Sequence, residues 1–157
     1  MKDTIYISYG HKFYDPKKFD RITNRKFNYW INKPAGGLWA ADVKSDDWQV
    51  FCIDNNYMRH RYNKANSFKF KLTNNAKVLR IHTDDDCRRI LNKYKLSEKK
   101  MDHRQKWSIF NKYVLDYEAI AKDYDVIDYK DAECQPSFPY WDLDCILVLN
   151  QEVIRPL

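Results

Sequence analysis

Apolar and polar residues alternate along this chain in short bursts, each ending at a turn. Thr4-Ile5-Tyr6-Ile7-Ser8-Tyr9 is β-branched and aromatic and stops at Gly10, which predicts a first strand. Leu38-Trp39-Ala40-Ala41 predicts a short second one. Phe68-Lys69-Phe70-Lys71-Leu72 alternates apolar with basic as a half-exposed strand does, and Thr73-Asn74-Asn75 turns the chain into another, Ala76-Lys77-Val78-Leu79-Arg80-Ile81. Tyr124-Asp125-Val126-Ile127 reads the same way. Ile146-Leu147-Val148-Leu149-Asn150 is apolar almost throughout, as in a strand covered on both faces.

Between these strands the spacing changes to three and four. Ser45-Asp46-Asp47 looks like the cap of a short helix carrying Trp48, Phe51 and Cys52, and Thr83-Asp84-Asp85-Asp86 caps a second with Ile90, Leu91 and Tyr94 on one face. After a polar span over 97–106, Phe110, Tyr113, Val114, Tyr117, Ile120 and Ala121 predict one longer helix. Strands toward both ends with helices between them make the fold class α+β, a small mixed or antiparallel β core with flanking helices. A length of 157 residues suits a single domain over 1–157.

Composition sharpens this picture at the glycines. There are three, where an average composition would supply about eleven. They sit at two places, Gly10 after Tyr9 and Gly36-Gly37 before Leu38, so both are candidates for tight geometry or a close ligand. Charge is uneven: residues 1–64 hold 12 basic and 7 acidic side chains, residues 65–113 hold 13 and 5, and residues 114–157 hold 3 and 10. The basic body would attract a polyanion or an anionic cofactor. Cys52, Cys87, Cys134 and Cys145, with His11, His60, His82 and His103, show no zinc-ligand spacing, and buried free thiols are expected. No apolar run is long enough to span a membrane, and the N-terminus lacks the apolar core of a signal peptide. The expectation is a soluble, cytoplasmic protein with no membrane partner.

In order along the chain, an aromatic-Gly strand end at Tyr9-Gly10, the stretch Gly37-Leu38-Trp39-Ala40-Ala41-Asp42 followed by Ser45, Trp48 and Cys52, and a final strand running into Leu149-Asn150-Gln151-Glu152-Val153-Ile154 resemble the ADP-ribosyltransferase fold, nearest its poly(ADP-ribose) polymerase branch. The whole chain is also similar to small bacterial and phage proteins that share the Tyr-Ile-Ser-Tyr-Gly-His opening, the Lys-Pro-x-Gly-Gly-Leu-Trp-Ala segment and the Trp-Asp-x-Asp ending. That second likeness brings no activity with it.

The first resemblance implies NAD as cofactor. The family's His-Gly, which holds the adenosine ribose, falls on Tyr9-Gly10, with Ser8 and His11 as neighbouring donors and the histidine itself out of register. The tyrosine that stacks on nicotinamide falls on Trp39, with Gly37 and Trp48 close by. The catalytic glutamate, counted back from Ile154, falls on Cys145, with Asp144 one residue away and Asp142 on the same strand face as Asp144. A carboxylate there would steady an oxocarbenium-like ribose. The resemblance also implies that the final strand lies beside the first, so that Tyr140 and Trp141 cover the same cleft. Two functions remain open: mono-ADP-ribosyl transfer to a protein or nucleic-acid acceptor, with Asp144 or Asp142 as carboxylate, or a non-enzymatic basic protein on the same fold, of the phage-inhibitor or nucleic-acid-binding kind.

Overall fold

The computed structural model describes residues 3–24, 33–109, 111–130, 141 and 143–157. Its strands are β1 (Tyr6–Tyr9), β2 (Leu38–Asp42), β3 (Ser67–Leu72), β4 (Val78–Ile81), β5 (Val126–Tyr129), β6 (Cys145–Val148) and β7 (Ile154–Pro156). They form one mixed sheet in the order β4-β5-β6-β2-β1-β3-β7, parallel only between β4 and β5. The helices are α1 (Asp47–Asp54), α2 (Asp84–Tyr94), α3 (His103–Trp107) and α4 (Tyr117–Asp123). The protein is therefore of α+β class.

The connection from β3 to β4 dictates the sheet's shape. These strands lie five steps apart, about 24 Å in a flat sheet. Leu72 and Val78 are six peptide links apart, a reach of about 20 Å when fully stretched. The link is not stretched, because Ala76 N–H donates to the Thr73 carbonyl at 3.2 Å. The sheet must therefore bend, bringing its two halves toward each other so that their side chains share one cluster. Its concave face encloses Tyr6, Ala40, Phe68, Phe70, Leu72, Val126, Ile146, Val148 and Ile154. The opposite face of β4, β5 and β6 is covered by α2 and α4, where Leu79, Ile81, Ile90, Ile120, Ile127 and Leu147 form the second core.

The alternation expected of β3 is present, with Phe68, Phe70 and Leu72 buried and Lys69 exposed. α2 begins at Thr83 with a capping box to Asp86, so its expected start and buried face are both observed. One long helix over 110–121 is not what forms. Leu115 pairs with Lys95 as an isolated bridge, and Asp116 caps a shorter α4 by accepting from Ala119 N–H at 3.0 Å. β7 is not among the strands the sequence analysis places; its Pro156 is tolerated because β7 is a sheet edge.

Asp116 is buried and also accepts from Asn24 Nδ2 at 2.9 Å and pairs with the Lys100 ammonium. Burial pushes its carboxyl up, but the hydrogen bonds from Asn24, Lys100 and Ala119 N–H outweigh burial and hold it below its ordinary value. The folded pKa thus lies below the unfolded one, so the stabilisation is complete above the unfolded value and is lost as pH falls through the folded one. Urea midpoints measured between about pH 6 and about pH 3 should fall more steeply in the wild type than in Asp116→Asn. Parallel profiles would show that this carboxylate does not carry the acid sensitivity.

Among the described residues no helix is long and apolar enough to cross a membrane, and no group of His, Cys, Asp and Glu side chains is arranged to hold a metal ion. Cys52 and Cys87 are buried and Cys145 is partly buried, while Cys134 lies outside the described residues.

Candidate functional site

β1 ends where the backbone turns at Gly10, with φ +102° and its N–H donating to the Asn66 carbonyl at 2.8 Å. A Cβ at this position would stand 3.2 Å from Tyr62 Cε1 and 3.6 Å from Arg61 Nε. Tyr62 belongs to a group of rings: it lies 5.7 Å from Trp48 and is stacked on Tyr57 at 6.0 Å, while Trp48 stacks on Phe51 at 5.6 Å. The Arg61 guanidinium lies over the Tyr62 ring at 5.5 Å. α1 brings these rings to the strand end by burying Cys52 beside Tyr9, whose hydroxyl is pushed up by burial and by the nearby Asp46 and Cys52. Tyr9, Gly10, Trp48, Tyr62 and Arg61 thus gather at one place. His11 is exposed beyond them, and Ser8, buried, points by strand alternation to the other face of the sheet. Gly10→Ala should cost about 1–2 kcal/mol, because an L side chain resists this φ, and the urea midpoint measures it. An unchanged midpoint would mean that the turn relaxes freely.

The second glycine site is filled by the protein itself. Gly37 N–H donates to the Asp20 carbonyl at 2.8 Å, and Thr23 and Ala35 form a bridge, so residues 20–23 cross directly over the start of β2. Gly36 and Gly37 both have positive φ, and a Cβ on Gly37 would be 2.8 Å from Ile22 Cδ1, Leu147 Cδ1 and the Val148 carbonyl oxygen.

Trp39, partly buried, packs on the α2/α4 side of the sheet. Trp141, only 1% exposed, meets it nearly edge-on with ring centres 4.8 Å apart, and Tyr129 meets Trp141 at 5.0 Å. The Lys33 ammonium stands over the Trp39 ring at 5.3 Å. β6, which carries the final apolar run, pairs with β2 and not with β1, so Trp141 is a core residue behind Trp39; Tyr140 lies outside the described residues.

The β2/β6 register, Trp39 with Leu147 and Ala40 with Ile146, continues to set Asp144 beside Asp42, about 10 Å along the strands from Trp39. By alternation the residues sharing the Trp39 face are Leu147 and Cys145. Lys130 Nζ donates to Asp144 Oδ2 at 2.7 Å. That hydrogen bond, with the charges of Asp144, Asp128 and Asp42, raises the ammonium pKa against burial. Asp142 lies outside the described residues. The structure therefore brings Tyr9, Gly10 and Trp48 together, holds Gly37 just before β2 and Trp39 within it, and sets Asp144 apart.

A polar group that the sequence reading passed over occupies the concave face near Asp144. His82 Nε2 lies 3.0 Å from Asp128 Oδ2, and Arg80 stands beside Asp128 in the parallel register. Burial, then the Asp128 and Asp42 charges, push the Tyr6 hydroxyl up to about 12, against a hydrogen bond with Thr4 and the Arg80 charge. The available signal was Asp128 itself, a carboxylate between Ile127 and Tyr129 in a strand buried on its other positions. No family model, curated protein or solved structure matches the chain.

Proposed function

We propose that the chain binds NAD on an ADP-ribosyltransferase-like sheet and transfers its ADP-ribose to a protein or nucleic-acid acceptor. The observation that supports this most is the environment of Gly10. Two aromatic rings, Tyr62 and Trp48, and the Arg61 guanidinium surround the strand end where the resemblance expects the adenosine ribose. Rings offer stacking faces to an adenine, and a guanidinium offers a planar fork to its phosphates. Trp39 adds a second point of support, since its ring already holds a cation, Lys33, and the nicotinamide ring of NAD is cationic too.

In this reading the nicotinamide-ribose bond breaks with its electron pair passing to nicotinamide, a carboxylate steadies the positive ribose, and the acceptor attacks the ribose carbon and loses a proton. Asp144 is the carboxylate that the resemblance assigns; it lies beside Asp42 on the sheet face opposite Trp39, so the assignment requires the ribose to reach round the end of β2 and β6. A second reading, a non-enzymatic basic protein on the same fold, is favoured by the Lys130–Asp144 pair and by a thiol, Cys145, on the Trp39 face.

Calorimetry with NAD separates the two. Binding is expected in the millimolar range or tighter, and Trp39→Ala and Tyr62→Ala should each weaken it by about 0.5–1.5 kcal/mol for a lost stacking face. Absence of heat at millimolar NAD, with the protein folded, would favour the non-enzymatic reading.

A further inference from the structure

Residues 96–109 and 111–115 form an excursion whose two ends, Leu96 and Val114–Leu115, are tied together. Leu96 N–H donates to the Val114 carbonyl at 2.7 Å, and Lys95 pairs with Leu115 beside it. Met101 and Gln105 are buried, and a capping box joins Asp102 and Gln105 through hydrogen bonds of 2.8 and 3.0 Å. This ordered base carries two large apolar side chains outward. Trp107 is 79% exposed and Ile109 80%, the two most exposed large apolar residues among those described. Trp107 and Ile109 stand two residues apart in sequence, and neither gains from burial within the domain.

The surrounding charge limits what can cover them. Residues 95–112 hold six Lys and Arg against two acidic residues. Lys99, Arg104, Lys106 and Lys112 are all exposed. The partner is therefore anionic and also supplies an apolar layer. Nucleic acid meets the first condition, but Ile109 has no π-face on which a base could stack. At four-fifths exposure the two side chains protrude instead of lining a groove, so the partner must accept them without a shaped pocket. The boundary between headgroups and acyl chains of an anionic bilayer meets all of these conditions: tryptophan settles there, isoleucine inserts, and each nearby lysine or arginine gains from the negative surface.

We infer that the 96–115 excursion docks the protein on an anionic lipid surface through Trp107 and Ile109, with the flanking lysines and arginines facing the headgroups. This contact is peripheral and needs no spanning helix. It is independent of the reading of the Gly10 and Trp39 sites.

The full chain can be sedimented with vesicles of phosphatidylcholine alone, or with about one-third phosphatidylserine, at low and high salt. Wild type should partition onto the phosphatidylserine vesicles at least about tenfold more than onto the neutral ones, and salt should reduce that binding. Trp107→Ser and Ile109→Ser should each lower it about tenfold while far-ultraviolet circular dichroism and the thermal midpoint stay at the wild-type values, since neither side chain packs in a core. Failure of the wild type to bind anionic vesicles overturns the inference. So does binding that both substitutions leave unchanged, because the basic body alone would then account for it. Retention of a single-stranded oligonucleotide that Trp107→Ser abolishes, without vesicle binding, overturns it in favour of nucleic acid.

Discussion

Gly37→Ala is expected to cost the fold about 3–5 kcal/mol, from a φ that an L side chain resists and a backbone clash that cannot relax cheaply. Gly37 sits at φ +73°, and the added methyl would lie 2.8 Å from the Val148 carbonyl oxygen, a backbone atom of the neighbouring strand. Relief would need β2 and β6 to part at a register pair, Leu38 with Val148, in the middle of the sheet. It would also disturb the Asp20 carbonyl that accepts from Gly37 N–H. A loss of this size is a large share of the stability of a small domain, so the variant should be partly unfolded at room temperature by circular dichroism. If it folds normally and loses only NAD affinity, the glycine is there for the ligand and not for the crossing of residues 20–23.

The glycine shortage pointed correctly to places of close backbone approach, but it could not say what approaches. At Gly10 the neighbours are Tyr62 and Arg61, side chains that can move aside. At Gly37 they include backbone from another strand and a residue fifteen positions earlier, and no local pattern announces such a contact. The same limit explains the helices. Periodicity saw α2 because its cap, buried face and length all agree within the segment. It joined 110–121 into one helix because the bridge from Leu115 to Lys95 and the ties of Asp116 to Asn24 and Lys100 come from other parts of the chain.

Alternation also decided more of the site than motif order did. Reading Gly37-Leu38-Trp39-Ala40-Ala41-Asp42 as a strand already places Trp39 and Asp42 on opposite faces, and the antiparallel partner then fixes Cys145 with Trp39 and Asp144 with Asp42. The partner strand was the unknown. Once β6 pairs with β2, Asp144 joins Lys130, Asp128 and His82 at one end of the sheet, an arrangement that depends on β4 and β5 being its neighbours. Long-range pairing of this kind is set by the whole core and not by the strand's own residues.

On the transferase reading, Asp144→Asn is expected to lower nicotinamide release from NAD by about 10²–10³-fold while leaving the thermal midpoint and NAD affinity near wild type. The carboxylate is more than one-third exposed, so its pair with Lys130 contributes little to stability and its loss should not unfold the protein. Its charge matters where the ribose becomes positive, which is in the transition state and not in the bound ground state, so the effect should fall on kcat and spare binding. Lys130→Gln supplies the sign test. Removing the ammonium leaves Asp144 as a carboxylate without its Lys130 partner, so on the transferase reading release should rise or hold, whereas a purely structural ion pair would make the two substitutions alike. Asp142→Asn should do less, being three residues from the glutamate position where Asp144 is one. Cys145→Ser, on the Trp39 face, is the control and should leave release near wild type. Labelled NAD with cell lysate as a source of acceptor gives the readout for all four variants, and equal release by wild type and Asp144→Asn would remove this carboxylate from the mechanism.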